Sequence, residues 1–479
     1  MSTRASAWNA VMTAEPGEHA FEIPASKIEG AVPRELAGGR HLQNGPGWTK
    51  IGGRLEHPFG GHGFVRALTF TEDGGARFLS RFVKTPAYLD ERASGRGSGS
   101  PLSQLRRLGQ RNVSNTTIQP WAGRLISGFE GGRPYALDPE SLETIGEETF
   151  DGVLPEAAFL AHMRIDSEAN RLIGCNALRG NPSRFVFREF DATGKQVAER
   201  EAAIPGMHFE HDFVATPRWY VLAGNSMKMS FGKLAKAMVG IGSMIGALRA
   251  DDSKAGELFL IPRGRPGPVR TVRLPQSAFV IHFANARAID DETCAIDLCA
   301  FESYAFGGEF GFQGPRRPLD PAVPDQRPSF QKLYRATVHD DADEATWQQL
   351  SDYGMDFPRV HPAREGQAVP AIYASTRGNR SFSDPFDAIA RVDAVDCERP
   401  TEVWCAGDGQ FVGEPVFAPR PGGRDLEDGW VVAVVYDGAA DNAQLCVFEP
   451  KALREGPIAR VPLPLQPYGF HGFWEGATA

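Results

Sequence analysis

A hairpin-like pattern recurs seven times along the chain, and this repeat limits the possible folds more than any other feature. Each copy has an apolar segment, a turn usually marked by an acidic residue, and a second extended segment. The copies are LTFTEDGGARFLSRF, PYALDPESLETIGEE, FREFDATGKQVAERE, LFLIPRGRPGPVRTVRL, YRATVHDDADEATWQQL, ARVDAVDCERPTEVW and LCVFEPKALREGPIARV. Their turn markers are Glu72, Asp138, Asp191, Pro262, Asp340, Asp393 and Glu449.

The spacing of these markers, 53 to 78 residues, fits one class of repeat. Four short strands with their loops fill about 40–50 residues in a propeller blade, so each interval holds one blade and an insertion. The sequence therefore predicts an all-β fold, a seven-bladed β-propeller whose loop and helical insertions cap the centre. A pair of β-sandwiches is the alternative, because sandwiches also contain regular hairpins.

Two irregular regions interrupt the repeat. Residues 88–112 are basic with a Gly/Ser-rich centre, and we expect them to leave the first blade. Residues 225–252 contain the most apolar helical stretch, 234–248, with lysines on its flank. This stretch is either a helical insertion packed on the propeller or a patch that dips into a membrane to collect a lipid-like substrate. We expect a single domain, 1–479, that carries both insertions.

Composition excludes several classes of protein. A formal charge of −9 argues against a sequence-independent nucleic-acid binder, which needs a basic face. No apolar run reaches the ~18 residues of a membrane-spanning helix, and the N-terminal segment lacks a signal-peptide pattern. The six cysteines contain no CxxC pair, which favours thiols in a reducing compartment. We expect a cytoplasmic protein, with peripheral membrane contact through 234–248 as the open alternative.

Four of the eleven histidines fall at the same phase of the repeat. His162, His211, His282 and His471 lie 24, 20, 20 and 22 residues after their turn markers. The first strand after each such hairpin is the innermost strand of a blade, so residues in phase converge on the propeller axis. Two carboxylates, Asp356 and Glu414, occupy comparable phases 16 and 21 residues after their markers, in the blades that lack an in-phase histidine.

Such a set of side chains suits a metal centre. Imidazole is a good ligand for iron, copper, nickel and zinc, and four neutral imidazoles leave positions open for oxygen or substrate in an octahedral field. Carboxylates near the axis would accept the second ring N–H of each histidine. For any one histidine, a hydrogen-bonded polar residue in a channel is the competing interpretation. Four histidines at the same phase of the repeat favour a metal site.

The strings around these histidines carry a resemblance to a known family. FLAHMRID, HDFVAT, VIHFANA and PYGFHGFW resemble the four histidine motifs of the carotenoid cleavage oxygenases. LQNGPGW, FEGGRPYALDPESLETIG, DFPRVHP, EPVFAPRPGG and EDGWVVAVVYD agree with the same family, and the resemblance covers roughly residues 29–475. It implies a seven-bladed propeller with iron(II) held by four histidines. The implied ligands, essential for catalysis, are His162, His211, His282 and His471.

The resemblance also implies three carboxylates behind the ligands. These are Glu130, Asp356 and Glu414. Asp356 stands where the family usually has glutamate, one methylene longer, so we expect its hydrogen bond to be displaced or mediated by water. His62 replaces an aspartate of an early glycine turn, and HFANARAID lacks the glutamate common after the third motif. We expect His208 to be a channel or strand residue, and His57, His62, His339 and His361 to be turn or surface residues.

The reaction that the resemblance implies is Fe(II)- and O2-dependent cleavage of a C=C double bond into aldehyde or ketone products. We expect a carotenoid or apocarotenoid substrate in an apolar tunnel. Family members that cleave stilbenes or other phenylpropanoids tend to carry a lysine at the position of Phe129, and a stilbene or phenylpropanoid alkene is the alternative substrate. Two rival classes are a non-enzymatic propeller that binds partners and a metal-dependent propeller hydrolase, which favours oxygen-rich ligands for hard cations.

Overall fold

The computed structural model of this chain has seven β-sheets arranged as blades, with few helices. It describes residues 3–51, 54–55, 58–95, 111–178, 180–225, 227–232, 235, 248–251, 253–302, 304, 331–378, 385–423 and 425–477. Every pair of neighbouring strands within a blade is antiparallel. The predicted seven-bladed β-propeller is confirmed, and the alternative of two β-sandwiches is wrong.

Blades 2 to 6 each have four strands in chain order, here given from the axis outward. Blade 2 has Thr117–Trp121, Arg124–Gly128, Tyr135–Leu137 and Thr144–Glu147. Blade 3 has Arg164–Asp166, Arg171–Leu178, Ser183–Phe190 and Gln196–Ile204. Blade 4 has Val214–Ala215, Trp219–Ala223, Glu257–Pro262 and Arg270–Arg273. Blade 5 has Phe279–Ala288, Thr293–Phe301, Gln331–His339 and Thr346–Gln349. Blade 6 has Met355–Arg359, Ala371–Thr376, Ala388–Asp393 and Glu402–Cys405.

Blades 1 and 7 combine segments from both ends of the chain, which closes the ring. Blade 1 runs outward through Gly472–Glu475, Arg40–Gln43, His62–Phe70, Ala76–Phe82 and His19–Ile23, with Pro46–Trp48 also paired to His62–Phe70. Blade 7 has Gln410–Val412 and Val416–Pro419 on one edge of Gly429–Asp437, followed by Asn442–Phe448, Ala459–Pro464 and Glu29–Gly30. The first strands of most neighbouring blades contact one another around the axis.

Helices and two small two-stranded sheets of the described chain lie outside the seven blades. In the described part of the chain, the α-helices are Thr3–Met12 and Pro86–Ser94, and the 3-10 helices are Ala25–Lys27, Arg34–Leu36, Pro58–Gly60, Pro362–Arg364 and Pro450–Glu455. The hairpins pair Lys50–Ile51 with Arg54–Leu55 and Met227–Met229 with Leu248–Ala250. In the second helix the Thr85 hydroxyl accepts from the Tyr88 amide, which caps the N-terminus, and Gly95 ends the helix in the left-handed region.

The hydrophobic core lies between the blades, because each blade packs its two faces against the two neighbouring blades. The strand Gly429–Asp437, GWVVAVVYD, is buried from its first residue to its eighth, which explains its unbroken run of apolar residues. By contrast, the outermost strand Gln196–Ile204 alternates exposed and half-buried residues along most of its length. Central strands are therefore apolar on both faces, and edge strands show the usual period of two.

The seven turn markers lie where the repeat predicts. Each marker ends the third strand of its blade or follows it in the turn to the fourth strand. The strand that comes after this fourth strand is the innermost strand of the following blade. The in-phase positions therefore do converge on the axis.

The insertions are described only in part. Residues 96–110, most of the first insertion, and all of 234–248 except residues 235 and 248 lie outside the described residues. The single-domain extent of 1–479 and the membrane patch stay predictions. Within the described ranges, no helix is both long enough and apolar enough to cross a membrane.

Candidate metal centre

The four in-phase histidines meet at the axis of the propeller. One ring nitrogen of each lies within 4.8 Å of the corresponding nitrogens of the other three. The Nε2 atom of His162 is 3.1 Å from Nε2 of both His211 and His471. His162, His282 and His471 are only 4–6% exposed, and the His211 side chain is 12% exposed. The cluster is therefore largely shielded from water.

The innermost strands position these rings. His282 lies within Phe279–Ala288, and His471 directly precedes Gly472–Glu475. His162 and His211 lie two and three residues before the short strands Arg164–Asp166 and Val214–Ala215. Four blades thus contribute one histidine each, which explains how residues 309 positions apart reach the same point.

Three carboxylates lie behind the histidines, on the side away from the centre. Asp356 Oδ1 is 2.7 Å from Nδ1 of His282, and Glu414 Oε1 is 2.9 Å from Nδ1 of His471. Glu130 contacts Nδ1 of His211 in the same way. A carboxylate only accepts, so each Nδ1 carries the proton and each Nε2 directs a lone pair toward the shared centre.

His162 has a different neighbour. Its Nδ1 lies 3.8 Å from Oδ1 of Asp212, too far for a direct hydrogen bond. Asp212 is buried and forms its own ion pair with Arg164, at 2.5 Å from the guanidinium NH2 group. His162 is therefore the one member of the cluster without a carboxylate directly bonded to its ring among the described residues.

Burial keeps part of the cluster uncharged. Desolvation lowers the pKa of His162 well below its usual value, and the neighbouring imidazoles lower it further. Desolvation also lowers the pKa of His471 to about 4, although Glu414 opposes this shift. At His211 desolvation acts in the same direction, but the charge and hydrogen bond of Glu130, together with the charges of Asp212 and Asp356, outweigh it and raise the pKa. The neutral imidazole is the form that binds metals.

The residues present fit a metal ion. Nε2 of His282 is buried and has no hydrogen-bond partner among the described residues, which is costly unless an ion takes its lone pair. A metal–nitrogen distance of ~2.1 Å places adjacent octahedral ligands about 3.0 Å apart, close to the two 3.1 Å separations of Nε2 atoms. An all-imidazole set favours a transition metal over calcium or magnesium.

An apolar cavity of about 300 Å³ opens onto three of the four histidines. Its lining includes His211, His282 and His471, the carboxylates Glu130 and Asp356, and the aromatic residues Phe59, Phe129, Phe209, Tyr304, Phe357 and Phe470. The Phe357 ring centre lies 5.2 Å from those of both His282 and His471. A mostly apolar cavity with a few polar groups at one end is typical of a small-molecule site.

A second, more polar groove adjoins this cavity. It has a volume of about 470 Å³ and shares Met207, His208 and Met227 with the cavity. Met207 is 51% exposed, which places the shared residues at a mouth that opens to solvent. His208 contacts the carbonyl oxygen of Pro205 at 2.9 Å and lies outside the four-histidine cluster.

Two expectations about side chains are wrong. His62 is fully buried, with Nε2 2.7 Å from Glu91, because the helix Pro86–Ser94 covers it. Asp356 contacts His282 directly and needs no bridging water. His339 ends the strand Gln331–His339 with a side chain that is 44% exposed, so it lies at the surface as expected. His361 caps the N-terminus of the 3-10 helix Pro362–Arg364, and His57 lies outside the described residues.

The Arg164–Asp212 pair and the Phe357 ring had no sequence-based prediction. A signal was present, since Asp212 directly follows His211 in HDFVAT and Arg164 follows His162 by two residues in FLAHMRID. All six cysteines lie in described segments, and all are free thiols, as expected.

Comparisons with known proteins agree with this geometry. The family model described as retinal pigment epithelial membrane protein (RPE65) matches residues 14–476. Apocarotenoid-15,15'-oxygenase of Synechocystis is 30% identical over 93% of this chain and 92% of its own length. Lignostilbene-alpha,beta-dioxygenase isozyme III of Sphingomonas paucimobilis is 26% identical over 94% of each chain.

A solved structure shows the same architecture. Cobalt-substituted Synechocystis apocarotenoid oxygenase superposes with a TM-score of 0.87 and 27% identity, covering 98% of this chain and 99% of the other. The family model covers nearly the whole sequence, and the four-histidine cluster lies at the axis of the matching propeller. This chain therefore belongs to the RPE65 family of carotenoid cleavage oxygenases.

Proposed function

We propose that this protein cleaves a C=C double bond of a carotenoid or apocarotenoid with iron(II) and O2. One alkene and one O2 molecule would give two carbonyl products, aldehydes or ketones. The observation that carries the proposal is the convergence of four imidazoles within 4.8 Å at the end of an apolar cavity.

The proposed metal ligands are His162, His211, His282 and His471. Glu130, Asp356 and Glu414 hold three of these rings in the tautomer that leaves Nε2 free to bind. Iron(II), when bound, would supply the activation of O2 that a protein side chain cannot. Because four neutral imidazoles carry no charge, the ion would keep its full double charge, and the three carboxylates would balance it from behind.

The cavity supports an apolar, elongated substrate. Phe129, Phe357 and Phe470 would hold a polyene by its faces and exclude water from the reacting bond. The polar groove beyond Met207 gives room for a substrate longer than the cavity, with a polar end near solvent. An apocarotenoid, apolar along its chain and oxygenated at one end, matches this arrangement.

Phe129 argues against a phenolic substrate. It lines the cavity next to Glu130, where a lysine would offer a cation to a phenolic hydroxyl. The lignostilbene-cleaving relative makes a stilbene the alternative to test. Anaerobic reconstitution with iron(II), then mass spectrometry of products from a panel of apocarotenoids and stilbenes, separates the two. Cleavage of polyenes alone supports the proposal, and cleavage of stilbenes alone overturns the substrate class.

We also propose peripheral membrane contact through 234–248. The support is the apolar composition of this stretch and its lysine flank. Flotation with vesicles of neutral and anionic lipid tests the contact, with a variant carrying serines at Met238, Met244 and Leu248 as the comparison. Equal flotation of both proteins would contradict it.

A further inference from the structure

A buried ion pair connects the three blades that carry His162, His211 and His282. Arg164 lies in the innermost strand of blade 3, and Asp212 lies immediately before that of blade 4. The two side chains are 2.5 Å apart, and both residues are less than 9% exposed. A buried charge is costly, so a pair in this position needs all of its hydrogen bonds.

Every other side-chain hydrogen bond of the pair ends within two residues of a histidine, and Arg164 also lies 3.6 Å from the partly exposed Glu365. Arg164 itself follows His162 by two residues. Its Nε donates to the carbonyl oxygen of Phe213 at 2.7 Å, and its NH2 group donates to that of Phe283 at 3.0 Å. Phe213 follows His211 by two residues, and Phe283 directly follows His282.

The carboxylate of Asp212 completes the connection. Its Oδ2 accepts from the Phe283 amide at 2.9 Å, and its Oδ1 accepts from the Phe213 amide at 2.7 Å. Its Oδ1 also faces Nδ1 of His162 at 3.8 Å. Arg164 and Asp212 together therefore satisfy both backbone groups of Phe283 and both of Phe213.

A second buried network, formed by Asn225 and Glu210, joins the backbones beside His211 and His282, but within the described chain its hydrogen bonds do not reach blade 3. Blades 3, 4 and 5 are separate sheets, so no shared strand ladder fixes their spacing. A guanidinium is planar and donates in fixed directions, which lets one Arg set the distance between two carbonyl groups. His471 is held independently, because Glu414 contacts both its ring and the amide of Gly472.

We propose that Arg164 and Asp212 act as a positioning clamp that sets the spacing of His162, His211 and His282 for metal binding. The inference rests on the proposed metal centre and adds two residues that need not touch metal or substrate. The clamp would act on the geometry of the ligand set, in addition to its contribution to the stability of the fold.

The chain offers a matched control. Arg335 donates to Asp297 through two bonds, at 2.6 and 2.9 Å, and to the carbonyl oxygen of Ala394 at 3.0 Å in the next blade. This pair is as buried as the clamp and also connects two blades, but neither partner adjoins any of the four histidines in sequence. Its loss should affect stability without affecting the ligand geometry.

The test is a cobalt(II) titration of the metal-free, full-length protein, followed by visible absorption. Arg164→Lys keeps the positive charge but loses the planar guanidinium with its fixed donor directions. Asp212→Asn keeps the shape of the side chain but loses its negative charge. We expect each to weaken cobalt(II) binding about 10- to 100-fold and to change the ligand-field bands. Arg335→Lys and Asp297→Asn should lower the melting temperature of the metal-free protein and leave cobalt affinity and bands as in the wild type.

Two results would overturn the clamp. One is wild-type cobalt affinity and bands in Arg164→Lys and Asp212→Asn; the other is an equal loss of affinity in Arg335→Lys. If the single variants do not fold, the double variant Arg164→Met/Asp212→Asn removes both charges, leaves no unpaired buried ion, and must show the same loss. A wild-type protein that binds no cobalt would instead refute the proposed metal centre itself.

Discussion

Asp356 contacts His282 directly, with Oδ1 2.7 Å from Nδ1, although its side chain is one methylene shorter than glutamate. The backbone compensates at this point. The register with the neighbouring strand shifts between Asp356 and Arg359, and Phe357 has a φ of 54° in the left-handed region. Such a bulge re-aims the adjacent side chain, here toward the centre of the propeller. The shorter carboxylate thus keeps the contact that positions a ligand.

Removing this carboxylate should weaken metal binding. We expect Asp356→Ala to lower iron(II) affinity about 10- to 100-fold, because the His282 ring loses the acceptor that fixes its tautomer. Anaerobic titration with iron(II) measures the change. Asp352→Ala, at an exposed position four residues earlier, is the control and should bind iron like the wild type. Equal affinity in both variants would show that the contact does not matter for the metal.

Phe129 should govern the choice between polyene and phenolic substrates. In Phe129→Lys an ammonium group enters the apolar cavity, where it opposes binding of a hydrocarbon and can pair with a phenolic oxygen. We expect kcat/KM for apocarotenoids to fall at least tenfold, and kcat/KM for a hydroxystilbene to rise. Phe129→Leu, which stays apolar, should keep the polyene preference. If Phe129→Lys kept the wild-type preference for polyenes, Phe129 would not determine the choice of substrate.

A pH-dependent contribution to stability should come from Glu189, far from the metal ligands in sequence. Burial raises the pKa of Glu189, but hydrogen bonds from Arg263, Tyr220 and Arg171 outweigh burial and lower the pKa to about 2. The folded-state pKa is depressed, so this stabilisation is fully present above the unfolded value of about 4.3 and is lost as the pH falls toward 2.

Glu189→Gln tests this linkage. At pH 7 the variant should be less stable than the wild type by roughly 3 kcal/mol, since Arg263 loses a buried partner. The difference in the free energy of unfolding between the wild type and Glu189→Gln should become smaller as the pH falls below about 4.5. Urea unfolding midpoints from pH 3 to pH 7 measure it, with Glu199→Gln at a half-exposed ion pair as the control that changes little. A pH-independent difference would contradict the assigned pKa.

The repeat and the metal centre could be predicted because they depend on phase. Hairpins at regular intervals fix which strand is innermost, and His162, His211, His282 and His471 occupy that strand or the residues just before it. The family motifs added Glu130, which has no in-phase position in the repeat. These predictions needed only the order of strands within a blade, not the packing between blades.

The contacts between blades could not be predicted in this way. Arg164 and Phe283 are 119 residues apart, and His62 and Glu91 come together only because a helix folds over the first blade. His62 looked like a turn residue because glycines surround it, yet the chain buries it fully. Side-chain partners across sheets depend on the angle between blades, which the period of the sequence does not contain.

Iron content of the purified protein tests the central claim most directly. The wild type and four variants, His162→Ala, His211→Ala, His282→Ala and His471→Ala, are reconstituted with iron(II) without oxygen and assayed for bound metal and for O2 consumption with an apocarotenoid. His208→Ala, at the mouth of the cavity, is the control. We expect one iron per chain in the wild type and the control, and loss of metal and activity in all four variants. Full iron content with undiminished O2 consumption in any one of the four would contradict a shared four-histidine centre.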